Sequence, residues 1–338
     1  MRYLVTGTAG FIGFHLARRL LDEGHEVIGL DGFTPYYDVR LKEHRNTLLE
    51  RRNGFHCHRV MLEDMLELEK IWAAEKFDIV IHLAAQAGVR YSLENPRAYI
   101  DANVIGTFNV MELTRRYPSQ HFMLASTSSS YGANTEMPFR ETDRTATPLT
   151  LYAATKAATE QMSHCYSHLW SIPTTAFRFF SVYGTWGRPD MALFKFTKGI
   201  IDRTPIDIYN HGKMERDFTY VDDLVEGIYR LSHCIPVRDQ PVDGEFDSLS
   251  PVAPYRIVNV GGGSPINLLE FIEQIETCIG RKAIRNYMEM QPGDVTRTVA
   301  NADLLERLTH FRPATPVAVG VKAFVDWYCD YHDVKLEG

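Results

Sequence analysis

Short apolar runs alternate with amphipathic stretches through the first half of the chain. The apolar runs predict strands at residues 2–6, 25–31, 77–84, 121–126 and 172–179. The helical periodicity between them predicts helices at residues 14–23, 64–76 and 98–117. Strands that alternate with helices favour right-handed crossovers and a parallel sheet covered on both faces. The pattern therefore predicts an α/β protein built on a doubly wound parallel sheet.

The alternation becomes irregular after residue 184. Further helices are predicted near residues 190–203, 222–234, 267–280 and 318–330, and a long surface loop rich in Pro and acidic residues at 236–255. A chain of 338 residues exceeds the size at which a single core stops growing. We therefore expect two domains, a nucleotide-binding domain over 1–180 and a smaller α/β substrate domain over 181–338.

Composition and charge narrow the function classes. The chain is 45% hydrophobic and carries a formal net charge of −7, which disfavours nucleic acid as a partner. No apolar run approaches the length of a membrane span, and no leader pattern precedes the first strand, so we expect a cytoplasmic protein. The five cysteines are scattered and form no CxxC, which disfavours both zinc and a disulfide framework and favours buried, reduced thiols.

A glycine-rich turn follows the first predicted strand. Gly7, Gly10 and Gly13 are spaced as GxxGxxG between a strand and a helix, where glycine allows a tight turn and close approach to a pyrophosphate. Asp31 ends the second strand, where an acid meets the ribose hydroxyls of an adenosine. Because that acid would repel the extra phosphate of NADP, the motif predicts NAD as the cofactor.

Other chemical segments also follow strands. STSSSYG (126–132) ends one strand, and YAATK (152–156) begins a predicted surface helix. Residues four apart on a helix are neighbours, so Tyr152 and Lys156 can act together. Ligands of parallel sheets bind at the carboxyl ends of the strands, which is where the glycine turn, Asp31 and STSSSYG lie.

With these motifs in this order, the chain resembles the extended short-chain dehydrogenase/reductase family of nucleotide-sugar enzymes, over essentially its whole length. The most specific stretches, YYDVRLK (36–42) and WGRPDMA (186–192), are similar to those of UDP-glucuronate 4-epimerases. The resemblance implies a Rossmann-like fold, tightly bound NAD, and interconversion of UDP-glucuronate and UDP-galacturonate through a transient 4-ketone.

The resemblance also implies roles for single residues. Tyr152 would take the proton from the carbon-4 hydroxyl, Lys156 would bind the nicotinamide ribose and lower the tyrosine pKa, and Thr127 would share a hydrogen bond with that hydroxyl. A phenol with an ordinary pKa of about 10 is a poor base at neutral pH, so a neighbouring cation is required. The implied cofactor contacts are Gly7, Gly10, Phe11, Ile12, Gly13, Asp31, Leu62, Ala84, Gln86, Tyr152 and Lys156.

The serine cluster bears on the choice of reaction. Related decarboxylases carry Glu where Ser129 stands, and related dehydratases carry an Asp–Glu pair at the positions of Ser128 and Ser129. Because this cluster has no acid, the resemblance disfavours decarboxylation and dehydration. Hydroxyl donors would keep the carboxylate of the 4-keto sugar fixed and charged.

The remaining implied contacts are with the substrate. Arg188 would lie near the sugar carboxylate and Arg216 near the diphosphate. The full set of expected substrate residues is Arg90, Ser128, Ser129, Ser181, Arg188, Tyr209, Arg216 and Asp294. Met61 departs from the family pattern, which has Asp near the adenine amine, so adenine recognition would rest on the backbone at Leu62 or on Asp64.

Alternative functions remain open from the sequence. They are a UDP-glucose/UDP-galactose 4-epimerase, a UDP-glucuronate decarboxylase or dehydratase, and an NAD-binding sensor without turnover. The resemblance also implies a homodimer in which helices 98–117 and 151–170 pair across the axis, with Val110, Leu113, Met162 and Tyr166 as candidate contacts. The same apolar residues could equally form an intramolecular core.

Overall fold

The structure, a computed structural model, describes residues 1–242 and 246–336. Its strands are β1 Arg2–Thr6, β2 Glu26–Asp31, β3 Phe55–Arg59, β4 Ile79–His82, β5 His121–Thr127, β6 Thr174–Phe179, β7 Ser181–Tyr183, β8 Ile206–Ile208, β9 Glu215–Tyr220, β10 Tyr255–Val260, β11 Pro265–Asn267 and β12 Arg285–Tyr287. Its α-helices are α1 Phe11–Asp22, α2 Val39–Glu50, α3 Met65–Ala74, α4 Tyr91–Glu94, α5 Pro96–Tyr99, α6 Gly106–Arg116, α7 Leu151–Trp170, α8 Ala192–Ile201, α9 Val221–Ser232, α10 Leu268–Ile279, α11 Asp303–Thr309 and α12 Val317–His332.

A large parallel sheet organises the first half of the chain. Within the described residues it has seven strands in the order β10–β6–β5–β4–β1–β2–β3. The register pairs Tyr3 of β1 with Val27 on one side and with Ile79 on the other. The strand order reverses direction at β1 and β4, which places a crevice at their carboxyl ends. The predicted doubly wound, Rossmann-like α/β fold is confirmed.

The two faces of this sheet carry separate cores. One core packs α1 and α9 against the sheet through residues such as Phe14, Leu20 and Ile228. The other packs α3 and α6 against the opposite face through Trp72 and Leu113. Burial on both faces explains why these strands read as continuous apolar runs rather than as alternating patterns.

The predicted element boundaries hold best where a helix has a clear cap. Helix α7 begins at Leu151, as expected, because the Thr150 side chain accepts a hydrogen bond from the Ala153 amide at 3.2 Å. Helix α1 begins at Phe11, three residues before the apolar period becomes evident. The helix predicted at 98–117 is α5 and α6 joined by a π-helical turn, Ile100–Ile105.

The hydrophobic pattern does not predict helix α2, because much of the face that this helix buries is polar. The buried residues on it include Lys42, Arg45 and Asn46 together with two leucines. A helix that buries charged groups has no apolar stripe for periodicity to detect.

The large sheet crosses the predicted domain boundary at residue 180. Strand β10 lies in the second half of the chain but pairs in parallel with β6, from Tyr255 opposite Thr174 to Val260 opposite Phe179. Helix α9 also packs on the face that α1 covers. A boundary at residue 180 would therefore divide the large sheet. The functional division between the two halves of the chain stays a prediction.

The rest of the second half forms a smaller α/β unit. Small sheets, β11–β9–β7 and β12–β8, pack with α8, α10 and α12 around a separate core. The rings of Phe218 and Phe271 stack in that core with centroids 4.0 Å apart. The carboxylate of Asp223, in the first turn of α9, accepts hydrogen bonds from the Ala314 and Thr315 amides.

The long loop predicted at 236–255 contains residues 243–245, which lie outside the described residues. Its described part is anchored by Asp247, whose carboxylate receives two hydrogen bonds from the Arg256 guanidinium, each 2.8 Å long. The expectation of buried cysteines is wrong, because Cys165 is exposed and the other four are only partly buried. In the part of the chain that is described, no helix combines the length and apolar character needed to cross a membrane.

Candidate active site

A cavity of about 460 Å³ opens at the carboxyl ends of the parallel strands and extends to β7 and β9. It brings together most of the residues singled out from the sequence. The predicted residues that line it are Gly7, Gly10, Phe11, Ile12, Gly13, Asp31, Leu62, Ala84, Gln86, Thr127, Ser128, Ser129, Tyr152, Lys156, Ser181, Arg188, Arg216 and Asp294. Arg90 and Tyr209 do not line it; Arg90 pairs with Asp294, which does, and the Tyr209 ring contacts Arg90.

The glycine turn lies between β1 and α1. Gly7 has φ +81°, a conformation that other residues rarely adopt. A Cβ on Gly13 would lie 2.1 Å from the Gly7 carbonyl oxygen, so that position admits glycine alone. Gly10 caps α1 without any side chain, which leaves the first amides of the helix facing the cavity. This cradle fits the pyrophosphate of a dinucleotide.

Asp31 supports the glycine turn. Its carboxylate accepts hydrogen bonds from the Ala9 amide at 3.0 Å and the Phe33 amide at 2.8 Å. Each carboxylate oxygen retains a second lone pair, so ribose hydroxyls can still donate to it. Lys42, which sequence reasoning missed as a site residue, is buried in the same wall and donates to the Thr34 hydroxyl at 3.1 Å.

The segment after β3 forms the far end of the cavity. Asp64 was one of two candidates for adenine recognition, but its carboxylate caps α3 by accepting from the Glu67 amide at 3.1 Å. Leu62 lines the cavity, and its carbonyl is occupied by the Asn109 amide. Glu63 lines the same wall, and its buried Oε2 has no hydrogen-bond partner among the described residues. Glu63 is therefore better placed than Asp64 to meet a donor.

Tyr152 lies in the first turn of α7 and faces the cavity beside Thr127. The Tyr99 ring meets the Tyr152 ring edge-on, with centroids 6.0 Å apart. Burial raises the pKa of Tyr152, whereas the neighbouring Thr127 hydroxyl and the Arg188 charge lower it. The family resemblance implied that Lys156 lowers this pKa. In the structure the groups that lower it are Thr127 and Arg188.

Lys156 is buried one turn further along α7. Burial lowers the pKa of its ammonium to about 8, and the carboxylate of Glu160 partly opposes that shift. Glu160 is itself held by the Arg178 guanidinium, at 2.9 and 2.7 Å, and by the Ser126 hydroxyl. The pair predicted from YAATK therefore occurs as two side chains one helical turn apart that both line the cavity, Lys156 being the more deeply buried.

Asn103 is a site residue that the sequence pattern did not reveal. It lies in the π-helical turn, and its amide oxygen accepts from the Gln86 amide at 2.7 Å while its Nδ2 donates to the Thr155 hydroxyl at 3.1 Å. Asn103 thus joins the loop after β4 to α7. The signal for Asn103 is the π-helical turn at residues 100–105, since such turns often mark functional sites.

The serine cluster forms a 3₁₀ turn, Ser128–Tyr131, after β5. Thr127 begins the turn by accepting from the Ser129 amide at 3.2 Å, and Ser128 and Ser129 line the cavity. Ser130 instead points away into the protein, where its hydroxyl lies 3.3 Å from that of Ser126. Among the described residues that line the cavity, the acids are Asp31, Glu63 and Asp294, and none lies in this cluster.

The opposite wall carries the predicted substrate arginines. Arg188 lines the cavity and is paired with Asp190. Arg216 donates to the Val295 carbonyl at 2.6 Å; burial lowers the pKa of its guanidinium and nearby Asp294 raises it. Asp294 also accepts from Arg90 at 3.0 Å, and the Arg90 guanidinium lies 4.0 Å from the centre of the Tyr209 ring.

A glycine turn at the reversal point of a parallel sheet, with a tyrosine and a buried lysine beside it, defines an enzyme of the NAD-binding α/β class. The chain belongs to the NAD dependent epimerase/dehydratase family, whose model matches residues 3–235. NAD is accordingly its cofactor, and the cradle described above fits that group.

Several relatives match nearly the whole chain. A probable UDP-glucuronate 4-epimerase of Rhizobium meliloti (strain 1021) is 58% identical over 330 residues, which cover 97% of each chain. Protein CapI of Staphylococcus aureus is 52% identical over 98% of this chain and 99% of its own. The crystal structure of UDP-glucuronic acid 4-epimerase from Bacillus cereus with UDP-glucuronic acid and NAD is 29% identical. It superposes with a TM-score of 0.87, over 98% of this chain and 100% of that one.

Proposed function

We propose that this enzyme interconverts UDP-glucuronate and UDP-galacturonate by inverting carbon 4 of the sugar. The observation that carries the proposal is that Tyr152, Thr127 and Lys156 all line this cavity beside the glycine turn, with the Lys156 ammonium buried one turn along α7 from Tyr152. The names of the Rhizobium meliloti and Bacillus cereus relatives agree with this assignment.

In this proposal Tyr152 exchanges a proton with the carbon-4 hydroxyl, and Thr127 holds both groups in line. NAD, when bound, supplies the hydride acceptor and donor for carbon 4. The Thr127 hydroxyl and the positive charge of Arg188 favour the ionised phenol, which offsets part of the rise in pKa that burial causes. Lys156 remains largely charged at neutral pH because its pKa is about 8.

The serine turn favours epimerisation over the other reactions of a 4-keto uronate. A decarboxylase or dehydratase would place an acid beside the ketone, but the turn here offers hydroxyl groups from Thr127, Ser128 and Ser129. Hydroxyl donors can hold the sugar carboxylate without transferring protons to the ring carbons. We assign Ser181 and Arg188, on the facing wall, to the same sugar.

The uridine diphosphate would occupy the end of the cavity near β9. Arg216 offers a buried cation to the diphosphate, where guanidinium geometry suits phosphate oxygens. Asp294 would accept from the uridine ribose. Arg90 pairs with Asp294 and stacks on Tyr209, so we place these residues around the base rather than around the sugar.

The dinucleotide would extend from the glycine turn to the segment after β3. Asp31 would receive the adenosine ribose hydroxyls, and Gln86 and Ala84 would line the nicotinamide side. The unpartnered oxygen of Glu63 would accept from the adenine amine in place of the acid missing at Met61. Lys42 would add a positive charge near the adenosine ribose.

We infer a homodimer that uses the outer faces of α6 and α7, with a different residue set from that expected. Val110 and Leu113 are fully buried inside the subunit, and Met162 and Tyr166 pack against the same core. Exposed apolar side chains on these helices and on the preceding π-helical turn are Ile105, Phe108, Leu169 and Trp170. Their exposure supports a surface that a second subunit covers. The cytoplasmic location predicted from the sequence stays a prediction.

The test is incubation of the purified enzyme with UDP-glucuronate, followed by chromatographic separation of the UDP-sugars. We expect UDP-galacturonate to form, with no net consumption of added NAD. Formation of a UDP-pentose with carbon dioxide would replace the proposal with decarboxylation. Conversion of UDP-glucose but not UDP-glucuronate would indicate a neutral-sugar epimerase, and bound NAD without turnover of either would indicate a sensor.

A further inference from the structure

The Arg188 side chain is already engaged by a carboxylate of its own chain. Nε donates to Asp190 Oδ1 at 3.0 Å and Nη2 donates to Asp190 Oδ2 at 2.5 Å. Exposed fractions of 20% for Arg188 and 26% for Asp190 show that both side chains are largely withdrawn from solvent. Two parallel hydrogen bonds of this kind fix the plane of a guanidinium as well as its position.

Tyr36 completes the group. Its hydroxyl donates to Asp190 Oδ2 at 3.1 Å, and its ring centre lies 5.7 Å from the Arg188 guanidinium carbon. Burial, with the Asp190 charge, raises the pKa of Tyr36 to about 12, so the hydroxyl remains a donor at neutral pH. Burial would raise the pKa of Asp190, but the Arg188 charge and the hydrogen bonds from Arg188 and Tyr36 together outweigh it, so the pKa is lowered.

The group is oriented toward the cavity in a defined way. Arg188 and Tyr36 line the cavity, whereas Asp190 does not, so the carboxylate holds the guanidinium from behind. The bonds to Asp190 use Nε and Nη2, which leaves Nη1 uncommitted to that carboxylate. A guanidinium has donors on two edges and can bind a second carboxylate on the edge formed by Nη1 and Nη2.

We propose that Asp190, together with Tyr36, is a positioning residue that aims Arg188 at the sugar carboxylate and so determines preference for a uronate. This inference rests on the proposed function. Because Arg188 and Asp190 cancel in net charge, selection at this wall depends on the direction of donors rather than on excess positive charge. An Arg side chain held in advance also loses less conformational freedom when the substrate binds.

A second effect of Asp190 opposes the first. Its negative charge repels the incoming carboxylate, and this repulsion would weaken uronate binding if it dominated. The guanidinium lies between the two carboxylates and screens one from the other, so we expect positioning to dominate. A variant with an uncharged side chain at position 190 decides between the two effects. Weaker binding of UDP-glucuronate would show that positioning dominates, and tighter binding would show that repulsion dominates.

Positioning also matters after oxidation at carbon 4. The 4-ketone is beta to the carboxylate, so cleavage of the bond between carbons 5 and 6 would release carbon dioxide. The bonding electron pair would enter the carbon-4 carbonyl to give an enolate, which would take a proton at carbon 5 and leave a 4-keto pentose. A carboxylate held in one orientation by Arg188 cannot align that bond with the carbonyl. Looser positioning should therefore increase carbon dioxide release.

The experiment compares the wild-type holoenzyme with Asp190→Asn, and with Asp202→Asn as a matched control. Asp202 lies at the end of α8 in an exposed pair with Lys198, away from the cavity. Dissociation constants for UDP-glucuronate and UDP-glucose are measured by calorimetry, and carbon dioxide release is followed from UDP-glucuronate labelled at carbon 6.

For Asp190→Asn we expect binding of UDP-glucuronate to weaken about tenfold or more, while binding of UDP-glucose changes less than about twofold. The fraction of turnovers that release carbon dioxide should rise. Tyr36→Phe, which removes a single donor to Asp190, should shift both quantities in the same direction by a smaller amount. Asp202→Asn should behave as the wild type.

Tighter binding of UDP-glucuronate to Asp190→Asn would overturn the inference, because Asp190 would then act as a competitor. Equal weakening for both sugars would overturn it too, since that result describes general structural damage. If the wild type itself binds both sugars equally and forms no UDP-galacturonate, the proposed function fails and this inference fails with it. An intact wild-type preference that Asp190→Asn leaves unchanged removes only the inference.

Discussion

Ala9 and Trp186 are joined through the buried side chain of Arg45. Its Nη1 donates to the Ala9 carbonyl oxygen at 3.0 Å and its Nη2 donates to the Trp186 carbonyl oxygen at 2.5 Å. Nη1 also donates to the Tyr37 hydroxyl at 2.7 Å. Ala9 belongs to the glycine turn, and Trp186 begins the loop that carries Arg188. The glycine turn and the loop that carries Arg188 therefore share a support on α2.

Arg45→Lys should destabilise the glycine turn and the loop that carries Arg188 together. A lysine retains the charge but lacks the planar set of donors that reaches three acceptors, so buried carbonyls lose partners. We expect a loss of about 2 kcal/mol in the free energy of unfolding and faster loss of NAD on dilution. Urea titration measures the first effect, and the NAD content that remains after dilution and gel filtration measures the second. Arg51→Lys, at an exposed position just beyond α2, is the control; equal behaviour of the two variants would contradict the assignment.

Tyr152→Phe should abolish epimerisation while the protein still retains NAD. The change removes the phenol oxygen that exchanges the proton and leaves the ring packed against Tyr99. A rate reduction of about a thousandfold or more is expected from loss of a general base. Chromatography of UDP-sugars gives the rate, and cofactor released on denaturation gives the NAD content. Tyr229→Phe, at a half-buried position on α9 that does not line the cavity, should keep full activity, and full activity in Tyr152→Phe would refute the assignment.

Arg188→Ala should weaken binding of UDP-glucuronate much more than binding of UDP-glucose. The variant removes the cation assigned to the sugar carboxylate and leaves Asp190 unpaired behind the cavity wall. The expected difference between the two sugars is about 2 kcal/mol or more, measured by calorimetry. Arg40→Ala is a suitable control, because Arg40 is 84% exposed on α2. Equal losses for both sugars would remove Arg188 from the carboxylate site.

Gly13→Ala should eliminate NAD binding. The new Cβ would lie 2.1 Å from the Gly7 carbonyl oxygen and 3.1 Å from the Thr8 Cα, so the turn must open. Gly262→Ala is the matched control, since its Cβ would meet its nearest neighbour at an ordinary 3.5 Å. Cofactor content after gel filtration distinguishes the variants. Retention of NAD by Gly13→Ala would show that the dinucleotide lies elsewhere.

Glu141→Gln should stabilise the protein at alkaline pH. Burial raises the pKa of Glu141 from an ordinary 4.5 to about 7. The folded state therefore holds a proton that the unfolded state releases above about pH 4.5, and the associated stability is lost as the pH rises through about 7. Gln can still accept from the Asn259 amide, as Glu141 does at 2.9 Å, without having to ionise.

We expect the variant to gain up to about 3 kcal/mol over the wild type at about pH 8, and little at about pH 4. Urea unfolding at several pH values measures the difference. Glu136→Gln, at an exposed position in the same loop, should give no such dependence. A constant difference between variant and wild type across the range would show that Glu141 does not titrate in the folded state near pH 7.

Much of the site follows from local sequence. The glycine turn, Asp31 and the Tyr152–Lys156 spacing each depend on a few consecutive residues whose backbone needs are visible in the sequence. The parallel sheet follows as well, because burial on both faces requires continuous apolar runs. Helix α2 and Asn103 were not recognised, since a polar buried face and a π-helical turn produce no apolar period.

The sequence by itself determined the α/β class, the position of the glycine turn and the placement of Tyr152 and Lys156 one turn apart at the start of a helix, because these depend on propensity, periodicity and turn chemistry within short segments. Only the tertiary structure decided which distant groups meet. It inserted β10 beside β6, placed Val110 and Leu113 inside the subunit, assigned Asp64 to a helix cap and joined Tyr36 to Asp190 across 154 positions. The physical reason is that hydrogen-bond partners and buried contacts are set by packing in space, which the spacing of residues along the chain does not specify.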